Sequence, residues 1–142
     1  MKIQLVSDLH LEMMSTEQQY KVMESLLPST IVDTIILAGD ICNERDMKPV
    51  LEWFCNKYEN TIYICGNHEY YGSTFDKVYE CVEQCATQLP NLYWLDPTRP
   101  IVTIEGKRFI GGCLWYPKNP TSLSLIKQWS DYYCIKGLIP EV

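Results

Sequence analysis

Short apolar runs alternate with amphipathic stretches along most of the chain, and this alternation predicts βαβ units built around a mainly parallel sheet. Each predicted strand is short and rich in β-branched or aromatic side chains. The predicted strands are Lys2 to Ser7, Thr34 to Ala38, Thr61 to Cys65 and Leu92 to Leu95. The pattern therefore favours an α/β fold.

Apolar side chains at helical spacing predict three helices between these strands. Ser15 and Gln18 form a capping-box pattern at the start of the first helix, which is expected to end before Pro28. Ser73 is the expected cap of the third helix, which should end at Pro90. The apolar stripe of the second helix consists of Val50 or Leu51, Phe54 and Tyr58. The stripe of the third helix consists of Phe75, Val78, Val82, Cys85 and Leu89.

The pattern becomes antiparallel after the fourth strand. Two runs, Ile101 to Ile104 and Arg108 to Gly111, flank Glu105-Gly106-Lys107 and predict a hairpin. From Pro117 onward no clear period is visible, and we expect a loop with one short helix. Because no linker rich in glycine or serine divides the chain, residues 1–142 are expected to form a single domain.

Composition excludes several classes of protein. The chain of 142 residues is 46% hydrophobic, which argues against disorder, and its net charge of -6 argues against nonspecific nucleic-acid binding. The longest apolar run, Ile35 to Ala38, is too short to cross a membrane, and the amino terminus does not resemble a signal peptide. We therefore expect a cytoplasmic protein without a membrane partner.

The seven cysteines are expected to be mostly small core residues. Their number is odd and no CxxC pair occurs, so neither a disulfide framework nor a zinc ribbon is indicated. Cys81 and Cys85 are one helical turn apart, a spacing that is compatible with metal binding, but the core interpretation is favoured.

Polar residues follow three successive predicted strands, where ligands of open α/β sheets collect. The three segments are Asp8-Leu9-His10, Gly39-Asp40 and Gly66-Asn67-His68-Glu69. In an extended chain the side chains of Asp8 and His10 point the same way and can bind one cation. Asp40 can bridge two cations and Asn67 can offer an amide oxygen to the second, an arrangement that suits displacement at phosphorus.

The order of these motifs, each after a strand, resembles the front half of the calcineurin-like metallophosphoesterase family. The segment from Val102 to Trp115 is similar to the hairpin that follows the third motif in members of that family. The resemblance implies a metallophosphoesterase-type αββα sandwich, incomplete at the carboxyl side. It also implies divalent metal ions and hydrolysis of phosphate mono- or diesters by a metal-activated hydroxide.

The family's residue roles transfer by motif position. They imply that Asp8 and His10 bind the first metal, that Asp40 bridges both metals and that Asn67 binds the second. His68 would be the catalytic histidine, which steadies the phosphate and protonates the leaving oxygen. For Glu69, a role in orienting the imidazole is one hypothesis, and an ordinary solvent-exposed glutamate is the favoured interpretation.

One departure from the family pattern limits the expected metal content. The family continues with a further histidine and a Gly-His-x-His motif, whereas the two histidines of this chain are His10 and His68. We therefore expect one metal site rather than two. Manganese, iron, zinc and nickel are all compatible with these ligands. Substitute ligands are conceivable among Asp131, Glu141, Cys113 and Cys134, but nothing in their spacing indicates such a role.

Two functional hypotheses remain open at this point. The first is a metal-dependent phosphoesterase in a truncated or split form, which acts on a phosphate ester of unspecified identity, alone or with a missing carboxyl-terminal half. The second is a catalytically inactive metal-binding or protein-interaction module derived from that fold. An uncovered sheet face makes self-association a further expectation.

Overall fold

Four parallel strands lie side by side in chain order in the computed structural model, which describes residues 1–113 and 129–138. The strands are β1 (Ile3–Val6), β2 (Thr34–Ala38), β3 (Asn60–Ile64) and β4 (Leu92–Trp94). A separate antiparallel pair consists of β5 (Ile101–Ile104) and β6 (Lys107–Ile110). The predicted α/β architecture is confirmed.

Helices connect the parallel strands in the predicted order. They are α1 (Thr16–Ser25), α2 (Glu44–Lys57) and α3 (Phe75–Gln88), and a short helix α4 (Asp131–Cys134) lies near the carboxyl end. A 3-10 turn, Leu11–Met13, directly follows the first motif, and a second 3-10 turn, His68–Tyr70, begins within the third motif. The capping box of Ser15 and Gln18 is present at the start of α1.

The prediction that Ser73 caps α3 is wrong. Thr74 is the cap, because its backbone is extended and its hydroxyl accepts a hydrogen bond from the Lys77 backbone N–H at 3.3 Å. Ser73 belongs to the preceding turn, where its N–H donates to the Tyr70 carbonyl, and its hydroxyl donates to Glu44. Neighbouring hydroxyl residues are alternative caps in the sequence, and the end of the 3-10 turn decides between them.

The pleat of the parallel strands separates two packing regions. Alternate residues such as Ile35, Leu37 and Tyr63 pack in one cluster with side chains of the helices. On the opposite face Ile62 packs with Leu95 and with Ile104 of β5. The helices therefore cover one face of the sheet, and the hairpin covers part of the other.

The hairpin leaves apolar side chains exposed on its side of the sheet. Leu5 of β1 is paired in register with Ile36, which packs on the hairpin cluster, yet Leu5 is 68% exposed. Ile3 on the same strand is 45% exposed and Ile110 of β6 is 67% exposed. A second full sheet would cover these positions in an αββα sandwich, so the fold is that sandwich incomplete on one side, as predicted.

The hairpin begins its second strand one residue earlier than predicted. Glu105 and Gly106 both adopt left-handed backbone conformations, with φ of 49° and 73°, which is the two-residue turn that joins tightly paired strands. Lys107 consequently lies in β6 rather than in the turn.

The predicted carboxyl-terminal loop and short helix are described only in part. The helix α4 lies within the predicted segment, whereas residues 114–128 and 139–142 lie outside the described residues. No helix in the described ranges has the length and apolar character needed to span a bilayer.

Candidate functional site

The polar segments that follow β1 and β2 are joined by backbone hydrogen bonds. The Asp8 N–H donates to the Gly39 carbonyl at 3.0 Å, and the His10 N–H donates to the Asp40 carbonyl at 3.0 Å. These bonds continue the pairing of the two parallel strands beyond their ends. The first and second motifs therefore form one continuous surface at the carboxyl edge of the sheet.

The third motif joins the same surface through Asp40. One carboxylate oxygen of Asp40 accepts a hydrogen bond from the His68 backbone N–H at 2.9 Å. Potential ligand atoms of Asp8, His10 and Asp40 all lie within 4.8 Å of one another. The tertiary structure thus brings together the first-metal residues that the sequence proposes.

Backbone strain coincides with these residues. Asp8, His10 and Asp40 have φ values of 55°, 47° and 54°, in the left-handed region, which only a few per cent of non-glycine residues adopt and in which asparagine, aspartate and histidine are enriched. In the described ranges the remaining non-glycine residue of this kind is Glu105, in the hairpin turn. Such strain clusters at functional sites, where surrounding structure holds a side chain in a required orientation. The three donors are two carboxylates and an imidazole, a set that fits a divalent cation of borderline hardness.

Gly39 and Gly66 allow the segments after β2 and β3 to approach closely. A β-carbon on Gly39 would lie 3.0 Å from the Gly66 backbone, and Gly39 has a φ of 88°. A β-carbon on Gly66 would lie 2.7 Å from the Asp40 backbone nitrogen and would overlap the Asp40 carboxylate. The glycines thus fix the distance between the second and third motifs.

Substitution of Gly66 by alanine is expected to displace Asp40. The overlap should lower the free energy of unfolding by about 1–3 kcal/mol, because the added methyl meets backbone that cannot move freely. Urea unfolding of the metal-free protein measures this change, and a manganese titration should show weaker binding. Gly112→Ala is the matched control, since its nearest neighbour would be 3.8 Å away. An unchanged manganese affinity in Gly66→Ala would contradict the proposed spacing.

Glu69 is not the solvent-exposed residue that the sequence favours. Its side chain is 0% exposed. The carboxylate accepts hydrogen bonds from the backbone N–H groups of Asp40, Ile41 and Gly66 at 3.0, 2.9 and 2.8 Å. The Tyr63 hydroxyl also donates to it, at 3.2 Å. Glu69 therefore ties the ends of β2 and β3 together.

The alternative hypothesis, that Glu69 orients the His68 imidazole, also finds no support in its contacts. Both carboxylate oxygens are engaged by donors of the strand ends. Burial raises the pKa of the Glu69 carboxyl above its ordinary value, and the hydrogen bonds from Ile41, Gly66 and Asp40 oppose that rise. The carboxylate is thus a structural anchor for the backbone that carries the site.

Glu12 lies beside both histidines, a position that the sequence reasoning missed. One of its oxygens is 2.8 Å from Nδ1 of His68 and 3.4 Å from Nδ1 of His10. The two imidazoles are themselves in edge contact, with Nδ1 atoms 3.2 Å apart. His10, Glu12 and His68 form a second group of close ligand atoms. The only available signal was the position of Glu12 two residues after a proposed ligand.

Asp131 of α4 also reaches the site. It accepts hydrogen bonds from the Asn67 amide nitrogen at 2.8 Å and from the Tyr71 hydroxyl. Because a carboxylate only accepts, the NH2 end of Asn67 must face Asp131, which leaves the Asn67 oxygen for another partner. The Tyr71 ring stacks on His68 with centroids 4.2 Å apart. Asp131 therefore orients the Asn67 side chain, although the two residues are 64 positions apart in the sequence.

Of the substitute ligands considered from the sequence, Asp131 reaches the site, where it accepts a hydrogen bond from Asn67. Among the described residues, Asp131, Cys113 and Cys134 belong to neither group of close ligand atoms, and Glu141 lies outside these residues. Cys81 and Cys85 belong to neither group as well. All seven cysteines are free, and Cys42, Cys55, Cys65 and Cys85 are buried, as the core interpretation expects.

Comparison with known proteins agrees with this geometry. The family model for calcineurin-like phosphoesterases matches residues 1–140. The chain belongs to the calcineurin-like phosphoesterase family. Members of this metallophosphoesterase family generally use divalent metals, and the two groups of ligand atoms described above are the candidate positions for them in this member.

Two proteins to which this chain is similar are longer than it. An uncharacterised protein of Acanthamoeba polyphaga mimivirus is 29% identical over 149 residues, which cover 96% of this chain and 52% of the relative. The crystal structure of a phosphopantetheinyl hydrolase from Mycobacterium tuberculosis superposes with a TM-score of 0.68 at 17% identity. It covers 99% of this chain, which in turn covers 57% of that structure. The chain thus spans about half the length of each, and the structural likeness confirms the fold.

Proposed function

We propose that this chain carries the first-metal half of a divalent-metal-dependent phosphoesterase site. The proposal rests on one observation: ligand atoms of Asp8, His10 and Asp40 lie close together at the carboxyl edge of the sheet, on residues with left-handed backbone conformations. These residues would hold the cation, and Asn67 would offer its amide oxygen from the neighbouring segment. When bound, a divalent cation supplies Lewis-acid polarisation of a phosphoryl oxygen and of the attacking water.

His68 is proposed as the catalytic acid toward the leaving oxygen of a phosphate mono- or diester. Its backbone N–H is fixed by Asp40, and its ring is held between Tyr71 and His10. The side chain remains 17% exposed, so part of the imidazole reaches the surface. A fixed imidazole near the cation is suited to donate a proton, because histidine is the side chain that most often serves as a general acid or base.

The proposed activity is tested by manganese-dependent hydrolysis of an aryl phosphodiester with the purified chain. We expect a slow metal-dependent rate that His68→Ala lowers by about 100-fold, within the usual contribution of a general acid. The same variant should retain most of the manganese affinity, since His68 is not among the proposed ligands. A rate equal in wild type and His68→Ala would refute autonomous catalysis by this chain.

A second candidate function is an inactive metal-binding or interaction module of the same fold. Two observations favour it: the chain has two histidines in total, and apolar side chains of β1 are exposed on the uncovered sheet face. The partner expected on this face is a further polypeptide, either a separate carboxyl-terminal half or a second copy of the chain. Manganese binding without any hydrolysis would favour this candidate.

The cellular location is part of the same proposal. Seven free cysteines, several of them buried, are typical of proteins that work in a reducing compartment. This supports the proposal of a cytoplasmic protein.

A further inference from the structure

We infer that Glu12 is a positioning residue that holds both histidines of the site in one tautomer. The inference rests on the proposed function, in which His10 binds the cation and His68 protonates the leaving group. Glu12 is directly adjacent to both rings, through Nδ1 of His68 at 2.8 Å and Nδ1 of His10 at 3.4 Å. A single carboxylate would therefore orient a ligand and a catalytic group together.

The 2.8 Å contact decides which atom of His68 carries hydrogen. A carboxylate oxygen is an acceptor, so a deprotonated Nδ1 at that distance would place two lone pairs against each other. Nδ1 of His68 must therefore carry the hydrogen and donate it to Glu12. That hydrogen bond leaves Nε2 as the ring nitrogen that can act on a substrate. Nε2 acts as an acid only in the imidazolium form, in which both ring nitrogens carry hydrogen.

The contact between the histidines extends the argument to His10. Since Nδ1 of His68 is a donor, it cannot accept a hydrogen bond from His10, although the two Nδ1 atoms are 3.2 Å apart. We assign a hydrogen to Nδ1 of His10 as well, for which the acceptor within reach among the described residues is the Glu12 oxygen at 3.4 Å. Histidines that bind metals commonly donate their second ring N–H to a carboxylate in this way, which fixes the nitrogen that faces the cation.

Burial of Glu12 supports a shared role. Its side chain is 9% exposed. The second carboxylate oxygen, Oε2, is buried and has no hydrogen-bond partner in the described structure. A buried acceptor without a partner is costly, and a small rotation of the carboxylate would give one oxygen to each imidazole. In the described part of the chain, the two imidazoles are the ion-pair partners of Glu12, and Arg45 interacts with it electrostatically without forming a salt bridge.

The test uses nitrogen NMR of the metal-free full chain, with the pH raised until the ring-nitrogen signals themselves show that both imidazoles are neutral. The chain has two histidines, and His68→Gln assigns their signals. We expect both wild-type rings to be protonated at Nδ1. Glu12→Ala should shift both toward the Nε2–H form, whereas Glu12→Gln, with one acceptor oxygen, should rescue one ring and not both.

Glu17→Gln is the matched control, because Glu17 is exposed and pairs with Lys21. Wild-type rings protonated at Nε2, or unchanged tautomers in a folded Glu12→Ala or Glu12→Gln protein, would overturn the inference. Manganese titration gives a second readout, with a 10- to 100-fold weaker affinity expected for Glu12→Gln, the usual cost of losing such a partner. A wild-type chain that binds no divalent cation would instead refute the proposed function, while the tautomers would still report on Glu12.

Discussion

Replacement of Asp40 by asparagine is expected to weaken binding of manganese by roughly 100-fold or more. Loss of an outer partner of a ligand already costs 10- to 100-fold, so loss of a charged ligand should reach at least the upper limit. Asparagine retains an oxygen that can accept the hydrogen bond from the His68 N–H, which Asp40 accepts at 2.9 Å. The substitution therefore removes charge while the local backbone contact is preserved. Isothermal titration with manganese measures the effect.

Asp76→Asn is the matched control for this variant. Asp76 lies exposed in the first turn of α3, away from the ends of the strands that carry the motifs. Its substitution by asparagine removes one negative charge, as Asp40→Asn does. Its manganese affinity should equal that of the wild type. Equal losses in the two variants would mean that net charge alone controls binding, and the proposed role of Asp40 would then be wrong.

Replacement of Glu69 by alanine is expected to lower the free energy of unfolding by about 3 kcal/mol or more. The substitution leaves the N–H groups of Asp40, Ile41 and Gly66 and the Tyr63 hydroxyl without their acceptor. Each buried donor that loses its partner costs about 1–3 kcal/mol, and relief of the desolvated carboxylate offsets only part of the sum. A loss of this size is a large share of the stability of a typical domain.

Urea unfolding of the metal-free chain measures the effect of Glu69→Ala. Glu17→Ala, an identical change at an exposed position, should alter the free energy of unfolding by about 0.5 kcal/mol or less. If Glu69→Ala fails to fold, Glu69→Gln is the alternative variant, because it retains one acceptor oxygen in the same volume. A Glu69→Ala protein as stable as the wild type would show that Glu69 does not anchor the strand ends.

Local patterns were sufficient to predict most elements of the fold. The run Thr34–Ala38 is a strand with the predicted bounds, and the capping box at Ser15 begins α1 as expected. These predictions succeed because strand and helix periodicity and capping involve neighbours in sequence. The cap of α3 was predicted at Ser73 instead of Thr74, because the end of the preceding turn depends on how the His68–Tyr70 segment packs.

From the sequence, only those site residues that belong to the three motifs could be predicted to lie together. Asp8, His10, Asp40 and His68 each follow a strand, so their convergence follows from parallel strand order. Nothing in the sequence indicates the partners of Glu12, Glu69 and Asp131, although Glu69 lies in the third motif and Glu12 two residues after a proposed ligand. Glu12 and its partner His68 are 56 residues apart in the sequence. The separation is 28 residues for Glu69 and Ile41, and 64 residues for Asp131 and Asn67.

The sequence by itself determined the α/β class, the order of the elements and the residues placed at the carboxyl edge of the sheet. Tertiary structure alone decided which carboxylates face the histidines, which one is buried among backbone donors, and which sheet face stays exposed. The physical reason is that burial and hydrogen-bond partners depend on contacts between distant segments. A glutamate in the sequence is compatible with solvent, with an imidazole or with a cluster of backbone N–H groups, and only the fold determines which of these surrounds it.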